Sequence, residues 1–196
     1  MTNPETQAAL SSERQETLQE IASFVETKRQ QGKIAKLSFV STHNARRSII
    51  AEIIGQTLSE HFRIAYVECY SGGTEVSKVD ANAITTLQKF GFHFSHTSDN
   101  SMNPKHQIQT SKNFSKQLFS KLYTDPPNPR SEYAAILLCN QADKNCPVVY
   151  GAEVRYRLPF ADLQAFDSLR DVADKYEKAI LAIARELYFL FYTIDT

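Results

Sequence analysis

A short polar segment near the start of the chain has the residue types of an anion-binding loop. Three of residues 37–40 are apolar, which predicts a short strand. Residues 41–48 lead directly from it into a segment in which isoleucines recur at helical spacing. A strand that ends in a tight loop and opens a helix directs free N–H groups toward one point, and the helix dipole adds to their attraction for an anion. Arg47 lies at the predicted helix start, where a guanidinium can bind two oxygens of an oxyanion at once. An ordinary turn with Ser48 as the helix cap explains the same residues equally well.

Position 41, at the base of this segment, decides what chemistry the segment can perform. A cysteine there would have a strongly lowered pKa, because the donors that bind an oxyanion also stabilise a thiolate. The chain carries Ser41 instead. A serine hydroxyl lacks that acidity and needs a neighbouring base before it can attack a substrate.

The segment resembles the Cys-x5-Arg-Ser loop of the low-molecular-weight tyrosine phosphatase and thioredoxin-coupled arsenate reductase superfamily. The resemblance puts Ser41 in the nucleophile's place and Arg47 in that of the oxyanion-binding arginine. It continues through Ser71-Gly72-Gly73-Thr74 and on to Ser98, and it covers most of residues 36–190. His43 could tune the charge of the site or simply face solvent. The resemblance implies that the whole loop binds the oxyanion, through Thr42, His43, Asn44, Ala45, Arg46, Arg47 and Ser48.

Two further cysteines have a spacing that fits the reductase branch of this superfamily. Cys139 ends a predicted buried strand, and Cys146 follows seven residues later, just before Pro147. In the arsenate reductases that the chain resembles, a Cys-x6-Cys-Pro segment carries two resolving cysteines. The first must attack the arsenic-bearing nucleophile, and the second must then release it by forming a disulfide with the first. The resemblance therefore implies a cysteine relay through Cys139 and Cys146. A core cysteine and an unrelated loop cysteine remain the alternative, and Cys69 is predicted to lie in the core.

Asp162 corresponds to the general acid that the superfamily carries after its last strand. The usual form there is Asp-Pro, whereas this chain has Leu163 after the aspartate and lacks the tyrosines with which tyrosine phosphatases grip a substrate ring. Asp167 is a nearby competitor for the acid's role. A helix N-cap is the alternative interpretation of either aspartate.

The elements that must position these residues alternate between helices and strands. Such alternation predicts a parallel sheet with helices on both faces. Together with the resemblance, it implies one three-layer α/β domain with a four-stranded, mainly parallel sheet and an extra N-terminal helix. Residues 1–33 are expected to form an N-terminal helical extension, and residues 34–196 the phosphatase or arsenate reductase-like domain. Residues 100–130 are expected to hold an irregular insertion or two extra strands. Helices are predicted over residues 11–31, 48–61, 79–90 and 172–191, and strands over 37–40, 65–70, 133–139 and 155–158.

The composition excludes several classes of function. The chain has 22 Lys and Arg against 22 Asp and Glu, so it offers no long-range field for a nucleic acid or an anionic membrane. Three cysteines are too few for a disulfide scaffold. The start of the chain has no export pattern, so we expect a cytoplasmic protein. No metal site is expected, because His93, His96 and His106 lack convincing ligand spacing.

The resemblance thus implies an arsenate reductase-like enzyme that reduces arsenate to arsenite through a cysteine relay, with Ser41 interpreted as an inactivating replacement of the cysteine. Two alternatives stay open: a low-molecular-weight tyrosine or phosphomonoester phosphatase, and a non-catalytic oxyanion-binding protein in which Ser41 is natural. No bound cofactor is expected, although a reductase would need an external thiol such as thioredoxin. The expected partners are phosphate, arsenate or sulfate, and thioredoxin or a phosphoprotein.

Overall fold

The computed structural model describes residues 10–96, 102–109, 115–140 and 149–194. Helices and strands alternate as far as residue 96, as the sequence predicts, and four more described strands then follow before the last helix. A single 3₁₀ turn, Leu163–Phe166, precedes the last helix. The helices are α1 (Ser12–Gln30), α2 (Arg47–His61), α3 (Ala81–Lys89) and α4 (Val172–Tyr192), and the strands are β1 (Ala35–Ser41), β2 (Val67–Gly73), β3 (His93–His96), β4 (His106–Gln109), β5 (Ser115–Leu118), β6 (Tyr133–Leu137) and β7 (Val154–Arg157).

Four strands form a parallel sheet in the order β2-β1-β6-β7, which confirms the predicted sheet. Its register pairs Ser41 with Gly73 and Val40 with Leu137. Because the strands are parallel, their carboxyl ends meet at one edge of the sheet, where ligands commonly bind in open α/β folds. The segments that follow β1, β2, β6 and β7 therefore begin at this same edge.

The two faces of the sheet are covered differently. Alternate residues of the central strands, including Phe39 and Ile136, belong to a large core that takes in apolar residues of all four helices. The opposite face, with Val40 and Leu137, packs against Val149 and other residues of connecting segments. The three-layer α/β class is confirmed, but among the described residues no helix residue joins the cluster on that second face.

The segment between α3 and β6 contains the extra strands that the sequence allowed. Strands β4 and β5 pair antiparallel and join β3 in a second, three-stranded sheet. The chain then returns along the end of β2, where the Gly73 N–H donates to the Lys121 carbonyl and the Tyr123 N–H donates to the Gly73 carbonyl, both at 2.9 Å. This pairing explains why β2 extends through residues 71–73, beyond the end at residue 70 that the sequence predicted.

A buried carboxylate ties this second sheet to the main domain. Glu52 of α2 is 1% exposed; it accepts a hydrogen bond from Ser71 and forms an ion pair with Lys116 of β5. Lys121 Nζ, also buried, lies 3.8 Å from the same carboxylate. Burial alone would raise the pKa of Glu52, but the charges of Lys121 and Lys116 lower it below its ordinary value. Burial lowers the pKa of Lys121.

The predicted N-terminal helix is present and shares the main core. The Ser11 hydroxyl accepts a hydrogen bond from the Arg14 N–H at 3.4 Å and so caps α1. Leu18, Ile21 and Val25 are fully buried in the large core. Arg14 also binds Glu186 of α4 at 2.7 Å. In the described part of the chain, no helix is apolar over a length sufficient to span a bilayer.

Candidate functional site

Residues 41–48 form a compact loop that leads from β1 into α2. Asn44 is fully buried and has a φ of 46°, a left-handed conformation that asparagine tolerates better than most residues. Helix α2 begins at Arg47, and its N-cap residue, Arg46, makes no side-chain capping bond. The first-turn N–H groups therefore have no side-chain cap from that residue. Ser48 lies within α2, so the alternative interpretation of Ser48 as the helix cap is wrong.

Ser41 lies at the base of this loop in a chain of hydrogen bonds. Its Oγ is 2.8 Å from Ser48 Oγ, and Asn44 Nδ2 donates to Ser48 Oγ at 2.9 Å. Because Ser48 Oγ already accepts from Asn44, its own proton can be donated to the atom at position 41. Within the described residues Ser41 makes no hydrogen bond with a histidine or carboxylate that could serve as its base. The arrangement is suited to stabilising an anion at this atom rather than to activating a hydroxyl.

Backbone contacts with the segment after β2 fix the shape of the loop. The Thr42 carbonyl accepts hydrogen bonds from the N–H groups of Thr74 and Glu75, both at 2.9 Å. A Cβ added at Gly73 would lie 2.6 Å from the Thr42 carbonyl oxygen and 2.9 Å from the Asn44 nitrogen. Only glycine permits this close approach of two backbones.

The two adjacent arginines of the loop point in different directions. Arg47 is buried, and its Nη1 donates to the carbonyls of Leu138 at 3.3 Å and Phe160 at 3.1 Å. Its Nη2 lies 3.4 Å from Asp162 Oδ1. These contacts hold the Arg47 guanidinium beside the carboxyl end of the sheet, where the sequence placed its oxyanion-binding role.

The Arg46 side chain, in contrast, binds residues of other elements. Its Nε donates to the Tyr176 hydroxyl at 2.8 Å, and its Nη2 forms ion pairs with Asp80 at 2.9 Å and with Asp167. Burial alone would lower the pKa of Arg46, but the hydrogen bond with Tyr176 and the neighbouring carboxylates raise it. Only the backbone of Arg46 therefore remains a candidate for anion binding.

Asp162 is a cap residue, as one of its two interpretations predicted, and its role as a general acid stays a prediction. Its Oδ1 accepts a hydrogen bond from the Gln164 N–H at 3.3 Å and so caps the 3₁₀ turn. The same carboxylate faces Arg47 and is 45% exposed, so it can also reach a group bound in the loop. Asp167, its competitor, lies at the other end of the turn and binds Arg46 and Tyr176.

The mouth of the loop is polar. His43 Nε2 is 3.1 Å from Glu75 Oε2, and both side chains are about half exposed. The cavity at the loop has no Phe, Tyr or Trp among its described lining residues, which are Ser41, His43, Ala45, Arg46, Arg47, Asp162 and Gln164.

Of the two cysteines that the structure describes, Cys139 lies beside the loop. Cys139 is buried, and its Sγ is 3.6 Å from Thr42 Oγ1, next to Ser41 in the chain. Cys146 lies outside the described residues, so its position stays a prediction. Cys69 is fully buried in the core, as predicted, and burial raises the pKa of its thiol. In the described ranges, no three His, Cys, Asp or Glu side chains come together as a metal site would require.

Sequence reasoning missed the groups that hold the arginines. Tyr176 and Asp80 are far from the loop in sequence, and the carbonyls of Leu138 and Phe160 carry no residue-type signal. One cue existed for Tyr176, because a tyrosine on the apolar face of a helix needs a partner for its hydroxyl.

Comparison with known proteins agrees with this geometry. A family model described as low molecular weight phosphotyrosine protein phosphatase matches residues 36–180. The search of curated proteins gave no match. Among solved structures, an arsenate reductase from Archaeoglobus fulgidus aligns over 80% of this chain and 98% of its own, with 15% identity and a TM-score of 0.52. 

Two further structures extend the comparison. An arsenate reductase in a phosphate-binding state aligns over 83% of this chain and 100% of its own, with 20% identity and a TM-score of 0.54. A mutant of YwlE from Bacillus subtilis covers 83% of this chain and 99% of its own, with 15% identity and a TM-score of 0.52. At these identities the likeness establishes a shared fold.

Proposed function

Because the chain belongs to the low molecular weight phosphotyrosine protein phosphatase family, we propose that residues 41–48 bind a tetrahedral oxyanion such as phosphate or arsenate. With cysteine at position 41, the same loop would reduce arsenate to arsenite. With Ser41, as in this chain, it binds the anion without turning it over. The loop amides and the Arg47 guanidinium supply the positive potential for binding.

The observation that favours reduction is the position of Cys139. Its sulfur is 3.6 Å from the Thr42 hydroxyl, one residue from position 41. A thiol buried beside the loop is well placed to attack a sulfur at the loop's base. The Cys139–Cys146 spacing supplies the second thiol that a relay requires.

The proposed relay moves two electrons from thiols to arsenic. A thiolate at position 41 attacks arsenate and forms a sulfur–arsenic bond as a water leaves. Cys139 then attacks that sulfur, so that a disulfide forms, the sulfur–arsenic bond breaks, and arsenic leaves with the electron pair as arsenite. Cys146 attacks Cys139 in turn, which frees position 41 and leaves a Cys139–Cys146 disulfide for an external dithiol such as thioredoxin to reduce.

Phosphomonoester hydrolysis is the second candidate, and the contact between Asp162 and Arg47 favours it. A half-exposed carboxyl group 3.4 Å from the anion-binding arginine can, when protonated, donate its proton to the leaving oxygen of an ester. The described lining of the cavity offers no Phe, Tyr or Trp ring to stack on a phosphotyrosine. Recognition of an ester would therefore depend on its phosphate more than on a stacked ring.

The first prediction concerns the chain as it stands. Isothermal titration calorimetry should detect binding of phosphate and arsenate at millimolar concentration or below, while assays find neither ester hydrolysis nor arsenate reduction. Ser41 places no negative charge against the dianion, so binding does not have to overcome repulsion from a thiolate. An absence of phosphate binding at millimolar concentration would contradict the proposed oxyanion site.

The second prediction separates the two activities. In the Ser41→Cys protein, arsenate turnover with thioredoxin should require both Cys139 and Cys146, whereas ester hydrolysis should require neither, because water opens a phosphocysteine. Steady-state assays of Cys139→Ser and Cys146→Ser in that background measure this, with Cys69→Ser as the matched control in the core. Equal arsenate reduction by all three would leave hydrolysis as the better proposal.

A further inference from the structure

The geometry points to Arg46 and Asp167 as positioning residues that hold the turn carrying Asp162 over the oxyanion loop. This inference rests on the proposed function, since it concerns the same site. It gives a role to the one loop arginine whose side chain turns away from the anion.

The 3₁₀ turn is held at both ends by adjacent arginines. Asp162 is its N-cap residue and Asp167 its C-cap residue. Asp162 lies 3.4 Å from Arg47, and Asp167 forms an ion pair with Arg46. A turn fixed at one end can pivot, whereas a turn fixed at two ends keeps a single orientation. Because Arg46 and Arg47 are neighbours in the loop, the turn's orientation is set relative to the loop itself.

The contact at the Asp167 end is the stronger of the two. The Tyr176 hydroxyl is fully committed, because it accepts from Arg46 Nε at 2.8 Å and can donate its proton to Asp167 Oδ1 at 2.6 Å. Burial, together with the bond to Asp167, raises the pKa of Tyr176, so its hydroxyl stays protonated. The side chain of Asp167 is 31% exposed and that of Asp162 45%. Asp167 is held by two partners, Arg46 and Tyr176, whereas Asp162 meets Arg47 in one ion pair of 3.4 Å. Charge-assisted bonds to the less exposed carboxylate are worth more.

The cluster is also attached to elements that flank the loop. Asp80 accepts from the N–H groups of Asn82 and Ala83 and so caps α3, while it pairs with Arg46 at 2.9 Å. Its own N–H donates to the Ala45 carbonyl at 3.0 Å. Tyr176 belongs to α4 and is fully buried. The anchor of the turn is therefore part of the framework of the domain and does not depend on a bound anion.

A consequence for anion binding follows from this anchor. The Asp162 carboxylate repels a dianion in the loop by an amount that depends on how closely it is held there. If the Asp167–Arg46 contact is lost, the turn is free to move away and the repulsion weakens. The change in anion affinity on removing the Asp162 charge should then depend on whether Asp167 is intact.

A double-mutant cycle on the chain as it stands tests this dependence, with inorganic phosphate as the probe and calorimetry as the readout. Asp162→Asn should tighten phosphate binding about three- to tenfold in the parent, and less than twofold in the Asp167→Asn background. Tyr176→Phe, which removes only the hydroxyl, should likewise make the tightening of phosphate binding by Asp162→Asn smaller. Asp174→Asn, an exposed charge on α4, should leave the full effect intact.

A second readout uses the leaving group of an ester in the Ser41→Cys protein. Asp167→Asn should lower kcat for phenyl phosphate about tenfold or more, because that leaving group needs a proton. It should leave kcat for 2,4-dinitrophenyl phosphate within about twofold, because dinitrophenolate departs without one. Damage to the fold would lower both rates and would also change KM.

The outcomes separate the inference from the proposed function. Equal tightening by Asp162→Asn in both backgrounds overturns the positioning role while leaving the oxyanion site in place. If the parent binds no phosphate, the proposed function is wrong and the positioning role is overturned with it, because the turn has no anion site to serve. Thermal unfolding of each variant shows that the comparison is made between folded proteins.

Discussion

At the scale of single residues, position 41 shows how one atom changes what a site can do. Asn44 Nδ2 donates to Ser48 Oγ, which lies 2.8 Å from Ser41 Oγ. The Ser48 hydroxyl can donate in turn to the atom at position 41, and this suits a charged acceptor there. A thiolate would use this arrangement fully, whereas a neutral hydroxyl gains only ordinary hydrogen bonds from it.

The third prediction concerns Arg47, whose buried guanidinium is held by the carbonyls of Leu138 and Phe160. Arg47→Lys should weaken phosphate binding by about 1–3 kcal/mol, because a point charge replaces a planar group that can bind two oxygens. Calorimetry on the Ser41 protein measures the difference. Arg170→Lys, at an exposed position before α4, is the matched control and should bind as the parent does. Unchanged affinity in Arg47→Lys would move the anion site away from this side chain.

At the scale of elements, the second sheet depends on an uncommon internal contact. Lys116 and Lys121 bring two positive charges to the single carboxylate of Glu52 on α2. Among the described residues Lys121 Nζ has no hydrogen-bond acceptor, although it is buried. Removing Glu52 would leave both lysines without a counter-charge, and buried uncompensated charges are costly.

The fourth prediction is that Glu52→Gln destabilises the protein by about 3–5 kcal/mol, the range for breaking a buried ion pair by removing one partner. Urea unfolding at neutral pH measures the loss, with Glu177→Gln on the exposed side of α4 as the control. Combining Glu52→Gln with Lys116→Met and Lys121→Met should recover most of the lost stability, since no charge of the cluster remains buried. A loss below about 1 kcal/mol in Glu52→Gln would contradict a buried ionised carboxylate.

The same cluster of Glu52, Lys116 and Lys121 predicts that the stability of the protein depends on pH. The pKa of Glu52 in the folded protein is lowered from its ordinary value of 4.5. Its ionised form therefore contributes stability that is complete above about pH 4.5 and is lost as the pH falls through the lowered value. The difference in unfolding free energy between the parent and Glu52→Gln should narrow in that acidic range. A difference that is constant from neutral pH to below that range would contradict the lowered pKa.

At the scale of the whole molecule, the N-terminal helix is part of the core on which the sheet packs. Leu18, Ile21 and Val25 are fully buried there, and Lys28 pairs with Glu153 at 2.6 Å. Residues 1–33 were expected to form an extension of the domain in residues 34–196. Their shared core leads us to expect that the two parts unfold together.

The fifth prediction follows from that shared core. Ile21→Ala should destabilise the protein by about 2–5 kcal/mol, because it removes buried methyl groups and leaves a cavity. The thermal transition should stay single and shift downward as a whole. Ser23→Ala, on the exposed side of the same helix, is the control. An early transition confined to α1 in Ile21→Ala would show instead that the helix is a separable extension.

The sequence predicted what depends on local pattern. Apolar periodicity predicted the four strands of the main sheet and the four helices, and their alternation predicted that these strands run parallel. It failed where partners are distant in the chain: the extension of β2 through Gly73 depends on pairing with residues near Lys121. The direction of the Arg46 side chain depends on Asp80, Asp167 and Tyr176, which no local pattern links.

The pairing of β1 with both β2 and β6 also determines when the loop acquires its support during folding. Strand β2 follows β1 after one helix, whereas β6 pairs Tyr133 with Lys36 across nearly half the chain. Such distant contacts require closure of a long loop and tend to form late. The Leu138 carbonyl that holds Arg47 arrives only with β6. We therefore expect a bound anion to slow unfolding more than it speeds folding, since interactions that form late in folding act mainly on the unfolding rate.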